Sequence, residues 1–209
     1  MKAHLPKVTD TKAGASRIVY SPHCYPKFVD IGGDYTEKYR KELNHWYRMR
    51  EKEQAMHQSP MLLGEFGLSP SKKGFDTFLR DLNRQADSIH MSWTYWSNDL
   101  GGWSPLNSDR SPSPILWELM RVYPQATAGQ LVSFSFDQAA RRFHMEYVSD
   151  ASIAVPTEIA IPPMLYAHGY DFKVTGTTQY RTEVDPLTHA LKVYVSENRA
   201  HVTVGINPK

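Results

Sequence analysis

Two textures of apolar and polar residues divide the chain. Up to about residue 122, short apolar runs alternate with longer stretches of helical period; beyond it, short period-two runs follow one another with no helical stretch between them. The first run, 17–20, is rich in β-formers and stops at Pro22, which predicts a strand. Residues 35–57 place Tyr39, Leu43, Trp46, Tyr47 and Arg50 at spacings of three and four, which predicts an amphipathic helix. A buried strand is predicted over 60–67, bounded by Ser59-Pro60 and Ser69-Pro70, then a helix over 74–88 with Phe75, Phe78, Leu79 and Leu82 as its inner stripe. In a third strand over 90–96, Ser92 and Thr94 face one way with Trp96 beyond them, and Trp93 and Tyr95 face the other. A last helix is predicted from Pro114 to about Val122, with proline near its first turn.

Strand and helix alternate three times, the pattern of consecutive β/α units. An eight-unit barrel needs about 250 residues, and this segment supplies about half of that. The texture changes at Tyr123-Pro124-Gln125-Ala126-Thr127-Ala128-Gly129. The runs 131–136, 143–147, 157–161, 170–174, 179–184, 191–195 and 201–206 then predict short strands, separated by turn signals such as Pro162-Pro163, Gly176 and Asp185-Pro186. Such spacing argues for a β-sandwich. The expected architecture is thus α/β plus all-β, with domains at 1–122 and 123–209.

Composition narrows the function. A net charge of +2 is too small to point to nucleic acid as the main partner. Cys24 is the single cysteine, so no intrachain disulfide is expected. The nine histidines form neither an H-x-x-x-H nor an H-E-x-x-H pattern, so no metal or other cofactor is expected. No run is long enough for a transmembrane helix, and the start of the chain lacks the apolar core of a signal peptide. The sequence itself gives no localisation.

The candidate chemistry sits at the strand ends. Glu65 lies between Gly64 and Gly67 at the end of an apolar run, and strict alternation puts it on one face with Met61 and Leu63. An unpaired buried carboxylate is costly, so the reading lies between an exposed Glu past a strand end and a catalytic carboxylate at the tip of a barrel strand. His23 and Tyr25 follow the first strand, as site residues or as a loop His and a packed Tyr. Trp96 closes the third strand, with Asn98 and Asp99 just beyond it.

In order, His23 with Tyr25, then Glu65, then Trp96 resembles glycoside hydrolase family 5, which carries an H-x-Y pair on its sixth barrel strand, the nucleophilic Glu on its seventh and a sugar-stacking Trp on its eighth. The G-E-F-G setting at 64–67, the Trp93-Thr94-Tyr95-Trp96 strand and the Y-P-x-A-x-A-G linker at 123–129 are most similar to the endoglycoceramidase group of that family. The resemblance implies strands six to eight of a (β/α)8 TIM barrel followed by an immunoglobulin-like sandwich, and a retaining hydrolase acting on the sugar–lipid linkage of glycosphingolipids. Glu65 would be the nucleophile, Tyr25 would donate a hydrogen bond to it, and His23 would line the same subsite. Trp96 would stack on sugar, and Asn98 and Asp99 would reach its hydroxyls. A carbohydrate or glycolipid substrate is implied, with membrane-surface contact only through that substrate, and an extracellular location for a full-length parent.

One part of the family pattern is missing. The family's acid/base Glu lies in an Asn-Glu-Pro motif, and none occurs in these 209 residues. Asp99 and Glu118 do not suit the role, the first following the wrong strand and the second lying within a helix. The expectation is therefore the nucleophile-bearing C-terminal part of an enzyme, inactive by itself. A different class of reading makes the sandwich a non-catalytic carbohydrate- or glycolipid-binding unit, with Tyr166 and Tyr170 as contacts if exposed and as packing if not. A third makes the chain an interaction subunit whose barrel is completed by another chain.

Overall fold

The computed structural model describes residues 8–12, 18–99 and 102–209. Arg17 of the first predicted strand, residues 13–16 of the polar opening, and Leu100 and Gly101 after the third strand lie outside the described residues. The chain divides into two compact units, Met1–Leu119 and Met120–Lys209.

In the first unit three parallel segments lie side by side. β1 (Leu62–Leu63) pairs with β2 (Ser92–Trp93), and isolated parallel bridges join Tyr20 to Met61 and His23 to Glu65. Regular strand is much shorter than the apolar runs predict, because Pro22 has no N–H to give and backbone pairing passes from residue to residue around Gly64. The pairing nevertheless continues on both sides: Leu62 N donates to Tyr20 O, Gly64 N to Pro22 O and Cys24 N to Glu65 O, each at 2.9 Å, and Trp96 N donates to Phe66 O, also at 2.9 Å.

The helices cover one face of these segments. After α1 (Lys27–Asp30), a single turn following Pro26, come α2 (Glu37–His57), α3 (Phe75–Ser88) and α4 (Pro114–Leu119). The inner stripes bury Leu43 and Tyr47 from α2, and Phe78, Leu79 and Leu82 from α3, around Met61, Leu63 and Phe66. At about 1.5–3 kcal/mol per buried large apolar side chain, this stripe is the main force holding the helices to the strands. Glu53 extends the inner face of α2 beyond Arg50, where the sequence reading ended it. It is buried because the Arg50 guanidinium pairs with its carboxylate at 2.7 Å and the Tyr20 hydroxyl donates to Oε2, tying the first segment to α2. Burial and then that hydrogen bond push the Tyr20 phenol up to about 12. Among the described residues no helix is long and apolar enough to cross a membrane.

The second unit holds eight strands: β3 (Tyr123–Ala126), β4 (Gly129–Asp137), β5 (Arg142–Ser149), β6 (Thr157–Ala160), β7 (Tyr170–Thr175), β8 (Tyr180–Val184), β9 (Ala190–Val195) and β10 (His201–Pro208). They form two four-stranded antiparallel sheets, β4-β5-β10-β7 and β3-β6-β9-β8. Period two decides what each sheet buries: Phe143, Met145 and Tyr147 on β5 and Val202, Val204 and Ile206 on β10 meet Ile159, Leu191 and Val193 of the other sheet in one apolar core. Two expectations need correction. The last helix stops at Leu119 rather than near Val122, and residues 123–126, read as linker, are a strand on β6. Tyr166, 7% exposed, donates its hydroxyl to Arg141 O and packs against a half-buried Tyr170, so this pair is packing rather than an open contact surface.

Candidate active site

Parallel pairing brings the C-terminal ends of the segments together, and with them three of the predicted residues. The Tyr25 hydroxyl donates to Glu65 Oε2 at 3.3 Å, and His23 Nδ1 lies 3.4 Å from the same oxygen. The Glu65 side chain is 30% exposed, so it is reachable while resting on two partners. Its burial differs from the expected pattern. Met61 and Leu63 are buried as predicted, but Phe66 is buried too, so the alternation breaks after Leu63 and Glu65 leaves the apolar face for the one carrying His23.

Both glycines beside the carboxylate are required by close approach. A Cβ at Gly64 would lie 2.6 Å from Ser21 Oγ and 2.9 Å from His23 Nε2. At Gly67 it would lie 2.4 Å from the Trp96 backbone oxygen and 2.9 Å from Trp103 Cε3, closer than carbon atoms tolerate. The chain can therefore turn Glu65 out between its neighbours only because these positions lack side chains. Phe66 fixes the tip from below, edge-on to Trp93 at 5.5 Å and to Tyr95 at 5.3 Å.

Burial, and then the neighbouring Glu65 carboxylate, push the Tyr25 phenol up to about 12, so it stays a neutral hydrogen-bond donor across the physiological range. Tyr25→Phe keeps the ring and removes this bond. It is expected to slow covalent labelling of Glu65 by an activated glycoside about tenfold, close to the lower end of what a hydrogen bond to a charged group contributes, and unchanged labelling would show the bond to be idle.

The remaining predicted residues are not in this cluster. Trp96 is 53% exposed, with a cis peptide to Ser97, and Asn98 and Asp99 are exposed beyond it. Asp99 accepts a hydrogen bond from Ser97 Oγ. Among the described residues none of these three bonds to Glu65, His23 or Tyr25. Glu118 is held by the Arg80 guanidinium through two bonds of 2.7 and 2.6 Å, so it is spoken for structurally. Sequence reasoning missed Trp103, whose ring lies 6.5 Å from that of Tyr25 and whose carbonyl accepts from Tyr95 at 2.9 Å. An aromatic residue in an otherwise polar and glycine-rich loop was the only signal for it.

Residues 121–206 match the glycoside hydrolase family 5 C-terminal domain, and the second unit belongs to that family of domains. The chain as a whole is similar to endoglycoceramidases: it is 31% identical over 121 residues to endoglycoceramidase I of Rhodococcus hoagii, a match covering 56% of this chain and 22% of that protein. It superposes on endo-glycoceramidase II from Rhodococcus sp. in its ganglioside GM3 complex with a TM-score of 0.87 at 27% identity, covering 100% of this chain and 46% of that one. The lactosyl-enzyme intermediate of the same enzyme gives a TM-score of 0.78 at 27% identity, with 98% and 45% covered. Sterylglucosidase 1 of Cryptococcus neoformans, at a TM-score of 0.58 and 16% identity over 78% of this chain and 31% of its own, shares the fold. The chain thus spans less than half of the solved endoglycoceramidase structures.

Proposed function

We propose that this chain is the nucleophile-bearing part of a retaining glycoside hydrolase that cleaves the sugar–lipid linkage of glycosphingolipids. The observation that carries the reading is the convergence of Tyr25 Oη and His23 Nδ1 on one oxygen of Glu65 at the ends of adjacent parallel segments. These segments are strands six to eight of a (β/α)8 barrel on this reading, and the second unit is an immunoglobulin-like sandwich. The similarity to endo-glycoceramidase II, solved with ganglioside GM3 and as a lactosyl-enzyme intermediate, supports the choice of substrate.

With Oε2 accepting from Tyr25 and lying 3.4 Å from His23 Nδ1, Oε1 is the attacking atom. A bond forms from Oε1 to the anomeric carbon as the bond from that carbon to the lipid oxygen breaks, and water later releases the sugar from Glu65. Trp96 offers its exposed face to the sugar ring, and Asn98 and Asp99 reach hydroxyls beside it. Retention also requires a carboxylic acid about 5–5.5 Å from the nucleophile to protonate the leaving oxygen. No residue of this chain is assigned that role, so it falls to a polypeptide supplying the rest of the relatives' length.

The test is covalent trapping. In a chimera where this chain replaces the corresponding part of endo-glycoceramidase II, a 2-deoxy-2-fluoro lactoside should label the peptide containing Gly64-Glu65-Phe66, read by mass spectrometry. Label on any other carboxylate overturns the assignment.

A further inference from the structure

The second unit carries a groove of about 570 Å3, within the range of small-molecule sites, to which no role has yet been given. One wall is the loop after β5, where Ile153 and Val155 stand 38% and 64% exposed. The other is the start of the edge strand β8, where Tyr180, 41% exposed, pairs across to Val195. Beside it, the Arg181 guanidinium lies 3.4 Å from the centre of the Tyr194 ring, with the Glu183 carboxylate 3.9 Å from its Nη1. Gln179, exposed at the same end, adds an amide that can both donate and accept.

We infer that this groove is a second carbohydrate site, taking the sugar headgroup of the glycolipid proposed above as substrate. The choice of sugar rests on that proposal; the site itself rests on the groove. A pyranose has an apolar C–H face and a rim of hydroxyls, so it needs a flat apolar wall with planar donors and acceptors at the edge. Tyr180 supplies the flat wall, Val155 and Ile153 the apolar side across the groove, and Arg181 and Gln179 the edge. An acyl chain would use only the wall and would leave the polar edge of Arg181 and Gln179 unused. Bound there, the headgroup would concentrate glycolipid near the enzyme without taking part in bond cleavage.

The experiment is retention of the full chain on lactose-conjugated resin, with elution by free lactose. Wild type and Glu65→Gln should be retained alike, while Tyr180→Ala and Val155→Ser each lower retention about tenfold, the scale of losing one aromatic or apolar contact. Val155 is an exposed loop residue, so its variant decides the matter should Tyr180→Ala shift the melting curve. The inference is overturned by absence of wild-type retention, or by retention lost in Glu65→Gln and kept in the groove variants. It is equally overturned by adsorption to plain phosphatidylcholine vesicles that lactose does not compete, which would make the groove a lipid surface. Trapping at Glu65 without retention removes this inference alone, and retention without trapping removes only the assignment of the nucleophile.

Discussion

Glu65→Gln in the chimera described above is expected to lower glycolipid turnover by about 10⁶-fold, the scale on which losing a covalent nucleophile acts in a hydrolase. The amide is nearly isosteric with the carboxylate, and Tyr25 can still donate to its carbonyl oxygen, so the tip between Gly64 and Gly67 keeps its packing. What disappears is the anion: an amide cannot form the glycosyl-enzyme bond. Initial rates on a glycolipid substrate and mass spectrometry with the fluoro lactoside give two independent readings. Both should fall to background while the melting temperature stays within a degree or two of wild type. Persistent labelling in this variant would move the nucleophile elsewhere.

The second large effect is on stability. Phe66→Ala is expected to cost about 3–5 kcal/mol, since the side chain is fully buried and its loss leaves a cavity against Trp93 and Tyr95 that rigid neighbours cannot fill. Denaturation of the purified chain followed by circular dichroism measures it. A loss below about 1 kcal/mol would mean that the site collapses easily and that Phe66 does not anchor the tip. The effect on chemistry should exceed what the lost stability alone explains. Glu65 is adjacent in the chain, and its hydrogen bond from Tyr25 and its contact with His23 depend on the strand end staying where Phe66 holds it.

How much of this was legible in the sequence follows from range. The periods of α2 and α3 are local and long, so they could be read, as could the alternating runs of the second unit. Residues 123–126 could not be recognised as a strand, because they show no alternation and contain Pro124; their place on β6 is a long-range pairing. Glu53 reads as a surface charge until Tyr20 is brought to it from 33 residues away. The carboxylate at position 65 announced itself through its glycines, yet the sequence placed it with Met61 and Leu63, since strict period two cannot foresee a break at the strand's end. The one-turn α1 is too short to display any period.

The glycine at position 64 also decides where His23 can stand. With Nδ1 3.4 Å from Glu65 Oε2, the other ring nitrogen occupies ground that a Cβ at 64 would approach to within 2.9 Å, beside Ser21 Oγ. Any side chain there would push the imidazole away from the carboxylate. Position 64 is thus a seat for the ring, made by leaving out a single carbon.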